Sequence, residues 1–206
     1  MRVLVCGASG CIGRAVTSAL RSHGHEVVEG QRRAVPGGLQ IDYAVPRSPA
    51  AWAQALRDAG GFDAVVNAVG ILMERGGQSF RRLHAEGPGE LFAGAALAGV
   101  RRIVQISALG VGHGAGSLAT PYATSKLAAD EALMRGGVDW AVVRPSLVFG
   151  PHSQSAALFR TLAGLPVVSL PGGGGQWVQP LHVHELAEIV CRLVEHDRPL
   201  RQVLEV

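Results

Sequence analysis

Val3-Leu4-Val5-Cys6-Gly7-Ala8-Ser9-Gly10-Cys11-Ile12-Gly13 begins as a short apolar, β-branched run and breaks at glycines, after which Val16, Ala19 and Leu20 recur at helical spacing. That reads as strand, glycine turn, helix. The same alternation returns along the chain. Val27 and Val28, then Leu39 to Ile41, precede a helix around Trp52 to Leu56, and Ala64 to Val69 is a buried strand. A helix is expected over Phe80 to Leu97, a strand over Ile103 to Ile106, a helix over Thr120 to Met134, and a strand over Trp140 to Val143 closed by Arg144-Pro145. Strands and helices alternating at this spacing make parallel βαβ units, so the expected fold is α/β, a doubly wound parallel sheet up to about residue 150. Residues 151–206 are expected to form a small cap of the same domain, with helices near Ser155 to Ala163 and Val183 to Val194. Val203 to Val206 look like the start of a strand.

Composition agrees with a globular chain. Of 206 residues 48% are hydrophobic and 17% charged, which excludes a disordered chain. A net charge of +3 with 5% aromatic residues gives little reason to expect nucleic acid as a partner. Cys6, Cys11 and Cys191 lack the even count or CxxC spacing of a disulfide framework or zinc knot, so a reducing, cytoplasmic setting is expected. The N-terminus has no long apolar run of the signal-peptide kind, and the uncharged stretches Ile103 to Ser125 and Thr161 to His184 are too broken by glycine, proline and polar residues to span a membrane.

The glycine triplet Gly7, Gly10 and Gly13 gains its meaning from the strand before it and the helix after it. Gly7 permits the turn, Gly10 lets backbone amides approach a pyrophosphate, and Gly13 lets the helix lie close to the sheet. A dinucleotide site is the reading. An NAD site would place a carboxylate about 20 residues further on, to accept from the ribose 2′-hydroxyl. Gln31, Arg32 and Arg33 stand there, and a guanidinium suits a 2′-phosphate, so NADP(H) is expected to be preferred with NAD(H) as the alternative. Glu29 is the competing acid.

The chain carries 19 lysines and arginines, and Lys126 is the only lysine among them. It follows Tyr122 by four residues in YATSK, which places both on one face of the helix opened by Thr120-Pro121. An ammonium beside a phenol is expected to lower the phenol's pKa and make Tyr122 a usable acid or base. Ser107 ends a strand at the sheet edge where ligands bind, ready to meet a carbonyl oxygen. His182, His184 and Glu185 do not complete HExxH, the run Gly172 to Gly175 lacks the lysine of a P-loop, and no metal is expected.

Together GASGCIG, NAVG (Asn67 to Gly70), ISALG (Ile106 to Gly110), YATSK and RPSLVFGP (Arg144 to Pro151) resemble the short-chain dehydrogenase/reductase superfamily over nearly the whole chain. The HEV of the second strand and QPLHVHELA are similar to its extended and atypical branches. These include NAD-dependent epimerase/dehydratases and the nucleotide-binding accessory subunit of respiratory complex I. The resemblance implies that Tyr122 is the acid/base, that Lys126 binds the nicotinamide ribose and tunes Tyr122, and that Ser107 orients the substrate oxygen. It further implies cofactor contacts from Gly7, Ser9, Gly10, Cys11, Ile12 and Gly13, from Arg32 and Arg33 at the 2′-phosphate, and from Asp42 at the adenine. Val69 and Gly70 would meet the adenosine side, and Pro145, Ser146, Leu147 and Val148 the nicotinamide. His84 stands where many relatives carry asparagine, which puts a proton relay there in question. The expected activity is that of an oxidoreductase or epimerase on a carbonyl or hydroxyl substrate. The alternatives are a cofactor-binding structural or assembly subunit and a nucleotide-dependent sensor, with a protein partner or a further carboxyl-terminal segment completing the substrate side.

Overall fold

The computed structural model describes residues 1–33, 35–112, 119–153, 161, 164, 175 and 178–206. Strand β1 (Arg2–Cys6) runs into helix α1 (Cys11–Ser22), followed by β2 (Glu26–Gln31), β3 (Leu39–Gln40), α2 (Pro49–Asp58) and β4 (Ala64–Asn67). A π-helical segment, Arg81–Glu86, leads into α3 (Gly87–Leu97). Beyond it come β5 (Arg102–Ile106), α4 (Pro121–Met134), β6 (Asp139–Arg144), β7 (Leu147–Phe149), β8 (Pro180–His182), α5 (Val183–Glu195) and β9 (Gln202–Glu205). The strands order as β3-β2-β1-β4-β5-β6-β9, all parallel, with β7 and β8 as a separate parallel pair.

Alternation along the strands feeds two cores. Leu4 and Cys6 face one side with Trp52, Leu56, Leu91 and Leu133, so α2, α3 and α4 cover that face. Val3 and Val5 face the other with Val16, Leu20, Leu186 and Val190, so α1 and α5 cover it. Local chemistry starts the helices where the sequence indicates. Ser48 and Thr120 cap α2 and α4 by accepting from the N–H groups of Ala51 and Ala123, with Pro49 and Pro121 following as first helical residues. His182 precedes α5, its backbone N–H donating to Glu185 Oε2 at 3.1 Å, so that acid serves a helix start.

Two features differ from the sequence reading. The sheet does not stop near residue 150, because α5 and β9 complete one face and one edge of it. The helix expected over Phe80 to Leu97 opens with a π-helical turn. Apart from Thr161, the helix expected near Ser155 to Ala163 lies outside the described residues, as do Gly172 to Gly174 of the glycine run. No helix among the described residues is long and apolar enough to cross a membrane.

Arg102 binds the C-terminal segment to the sheet. It is 2% exposed, and its Nε lies 2.7 Å from Asp139 Oδ2. Its Nη1 donates to the carbonyls of Leu193 and His196, and its Nη2 to that of Arg198, so one guanidinium caps the end of α5, where the helix dipole favours a cation. Replacing Arg102 with Met strands an acid and three carbonyls. Arg102→Met is expected to cost about 3–5 kcal/mol in urea unfolding, and a loss under about 1 kcal/mol would show that the clamp contributes little.

Candidate functional site

The turn after β1 is held to the next strand, since Gly7 N–H donates to Gly30 O at 2.8 Å and Gly10 N–H returns to Gly7 O at 3.0 Å. Gly7 has φ +79°, and a Cβ there would stand 3.0 Å from the Ala68 backbone. A Cβ on Gly13 would collide with the Gly7 carbonyl, so α1 sits as near the turn as a bare backbone permits. Gly10 caps α1 without a side-chain bond, which leaves the helix's first N–H groups open to an anion. These features fit the pyrophosphate of a dinucleotide. The cradle lies where strand order reverses between β1 and β4, the position at which open parallel sheets bind ligands.

A cleft of about 410 Å³ opens from it along the carboxyl edge of the sheet. Ser9, Gly10, Cys11 and Ile12 form one wall, Val69 and Gly70 after β4 another, and Pro145, Ser146, Leu147 and Val148 after β6 a third. Ser107, Tyr122 and Lys126 close the rear. Gly7 and Gly13 shape the turn beneath. Arg32, Arg33 and Asp42 do not border this cleft. Both arginines are exposed beyond β2, and Asp42 Oδ1 accepts from the N–H of Ala44 at 3.0 Å. Glu29 is drawn away toward α1, where Arg21 lies 3.0 Å from it.

Lys126 is 4% exposed, and its ammonium donates to Ile106 O at 3.1 Å and Val69 O at 3.4 Å. Burial lowers its pKa to about 8 against the opposing pull of Asp130, so the ammonium persists at neutral pH. Tyr122 corrects the sequence reading. Burial raises its pKa above the ordinary phenol value, so Tyr122 holds its proton. Ser107 is also committed differently. Its hydroxyl donates to Asp130 Oδ2 at 2.8 Å, so its one proton is not directed at a substrate oxygen. Asp130 is fully buried, with Arg144 Nη2 3.2 Å from Oδ2 and with Oδ1 lacking a partner among the described residues. Burial raises its pKa, opposed by the Ser107 hydrogen bond and by Arg144.

His84, in the π-helical segment, is buried at 1% exposure. The N–H of Ile71 donates to its Nε2 at 2.9 Å, so Nδ1 carries the proton and donates to Ser125 Oγ at 3.1 Å. Ser125 then donates to the Tyr122 carbonyl at 2.7 Å. The imidazole stacks on Phe80 and meets the Tyr122 ring edge-on, with centroids 5.3 Å apart. Burial first, then the charge of Lys126, pushes its pKa down to about 3. His84 therefore joins the cleft wall at Ile71 to the helix carrying Tyr122 as a neutral clamp.

The sequence reading passed over Arg14, Ile71, Asp130 and His152. Asp130 repeats the four-residue step from Tyr122 to Lys126, a signal that was available. His152, at φ +63° by the cleft, has no counterpart signal in the sequence.

A model of the NAD dependent epimerase/dehydratase family matches residues 3–204. An uncharacterized protein of Mycobacterium tuberculosis, Rv2047c, is 29% identical over 93% of this chain, which spans 20% of that relative's length. The structure of MoeE5 in complex with UDP-glucose and NAD is 24% identical, covers all of this chain and 76% of that one, and has a TM-score of 0.77. A short-chain dehydrogenase/reductase superfamily protein from Agrobacterium tumefaciens with bound NAD is 20% identical, covers all of this chain and 77% of that one, and has a TM-score of 0.76. At these identities the two structures speak to the fold.

His84 gives this site a pH signature. It is neutral when folded and has an ordinary pKa of 6.5 when unfolded, so its stabilisation is complete above 6.5 and is lost as pH falls toward about 3. Stability measured by urea between pH 7 and 4 is expected to fall less steeply in His84→Phe than in the wild type. Identical slopes would show that His84 is not held neutral.

Proposed function

The chain belongs to the NAD dependent epimerase/dehydratase family, and from that premise we propose that it binds NAD(P)(H), with NADP(H) preferred, and acts on a carbonyl or hydroxyl substrate. The observation carrying this reading is the convergence of Tyr122, Lys126 and the glycine cradle on one cleft. Bound there, the nicotinamide would exchange a hydride with the substrate carbon. Tyr122, protonated and beside the cleft, gives its phenolic proton to the substrate oxygen in one direction and recovers it in the other. Lys126 uses two of its three N–H donors on carbonyls, leaving one for the nicotinamide ribose. Ser107, its proton given to Asp130, serves the substrate oxygen only if that bond is exchanged. The NADP(H) preference draws on Gln31, which stands where an acid would serve NAD. The β7–β8 pair ties Leu147–Phe149 to Pro180–His182, and so joins the cleft wall to the cap of residues 151–206 on the substrate side.

A second reading, a cofactor-binding subunit or sensor without turnover, draws on the Ser107 hydroxyl being turned to Asp130 and on the raised pKa of Tyr122. Activity separates the two. Hydride exchange tested with ketones, quinones and nucleotide sugars is expected to yield turnover that Tyr122→Phe lowers by about 10²–10⁴-fold with cofactor affinity nearly kept. Lys126→Met is expected to weaken both. Wild-type rates in Tyr122→Phe would refute the assigned acid/base, and inactivity across the panel would favour the second reading. Gly10→Val is expected to abolish cofactor binding while the fold persists, because its side chain fills the pyrophosphate approach.

A further inference from the structure

Beside the cofactor cleft, and sharing Ser9 and Arg14 with it, a second open cleft of about 460 Å³ runs between α1 and the end of β2. Its charged groups do not cancel. Glu29 is occupied on both oxygens, Oε1 by Arg21 at 3.0 Å and Oε2 by the amide of Gln31 at 2.8 Å. Arg21 and Glu29 therefore neutralise each other. Arg14 spends only Nε, donating to the Ser9 carbonyl at 2.7 Å, and its two terminal nitrogens have no partner among the described residues. The cleft is also lined by Thr17, a residue 5% exposed whose buried hydroxyl has no partner among the described residues. One uncompensated guanidinium and one orphaned hydroxyl suit an anion with several acceptor oxygens.

We propose that this cleft receives the 2′-phosphate of NADP(H), and that Arg14, rather than Arg32 or Arg33, is the cation that selects the phosphorylated cofactor. The proposal rests on the cofactor reading above and names residues that reading did not use. Two placements favour it. Ser9 and Arg14 line both this cleft and the one that opens from the glycine cradle, so the two clefts are contiguous there. Gln31, at the position where an NAD site carries its acid, lines the same cleft with its amide turned to Glu29. Arg32 and Arg33 are exposed and border neither cleft.

The test needs no turnover. Titration calorimetry with 2′,5′-ADP and 5′-AMP, which differ only in the phosphate at issue, is run on the wild type, Arg14→Met, Thr17→Val, Arg32→Ala and Arg33→Ala. The wild type is expected to prefer 2′,5′-ADP. Arg14→Met should weaken 2′,5′-ADP by about tenfold or more, the size of a lost charge-assisted pair, while changing 5′-AMP affinity less than about twofold. Thr17→Val should weaken 2′,5′-ADP by a few-fold, and Arg32→Ala and Arg33→Ala should keep the preference. Arg14 is exposed, so its substitution does not threaten the fold. Equal weakening of both fragments in Arg14→Met would assign Arg14 to the shared 5′-phosphate and overturn the proposal. So would loss of the preference in Arg32→Ala or Arg33→Ala alone, or equal binding of the fragments by the wild type, either of which leaves the cofactor reading standing. Binding of neither fragment would overturn both. Inorganic phosphate matching 2′,5′-ADP in affinity at the Arg14 site would make it a free-anion site and reject the nucleotide assignment.

Discussion

A backbone carbonyl and the absence of a methyl group set the geometry on which the rest of the molecule depends. Gly13 presents only hydrogen to the Gly7 carbonyl, so α1 settles directly on the turn that ends β1. Gly7 can then adopt its left-handed φ while its N–H reaches Gly30 on β2. From that contact the first N–H groups of α1 line up at the carboxyl edge of the sheet, and Val16 and Leu20 descend onto Val3 and Val5. A larger residue at position 13 would lift the helix, empty that core layer and misdirect those N–H groups in the same movement.

At the rear of the cleft the interior is unusually polar. Asp130, Ser107 and Lys126 are buried together with the half-buried Arg144 beside them, and the two cations offset the acid's desolvation while the serine supplies a hydrogen bond. His84 takes part as a neutral ring, so it adds no charge to a neighbourhood already holding an ammonium. Lys126 is held from two places, the end of β5 at Ile106 and the loop after β4 at Val69, so its ammonium is positioned before any ligand arrives.

The strand and helix alternation is legible because buried parallel strands read as short β-branched runs, and because Thr120-Pro121 and the glycine triplet mark helix starts by known backbone chemistry. The positions of Tyr122 and Lys126 follow from a spacing of four. What each group does there depends on neighbours distant in sequence. The direction of the Ser107 proton needs Asp130 in space, and the raised pKa of Tyr122 needs burial that no local pattern reports. The π-helical turn at Arg81–Glu86 has no residue signature that separates it from the α-helix following it. The role of the last 24 residues was hidden for a topological reason, since β9 pairs with β6 across some 60 positions of chain.

That long-range pairing makes folding a closure event. The face of the sheet bearing Val3, Val5, Ala64 and Val66 is covered by α1 and by α5, and α5 begins at residue 183. As the chain leaves the ribosome, β1 to β6 and the helices of the opposite layer are available well before that cover. During this interval one side of a six-stranded parallel sheet is partly bare, and β6 presents an unpaired edge to solvent. Contacts of such sequence separation are slow to form, so the interval in which this chain most needs protection from its neighbours falls between the synthesis of β6 and the docking of α5 and β9.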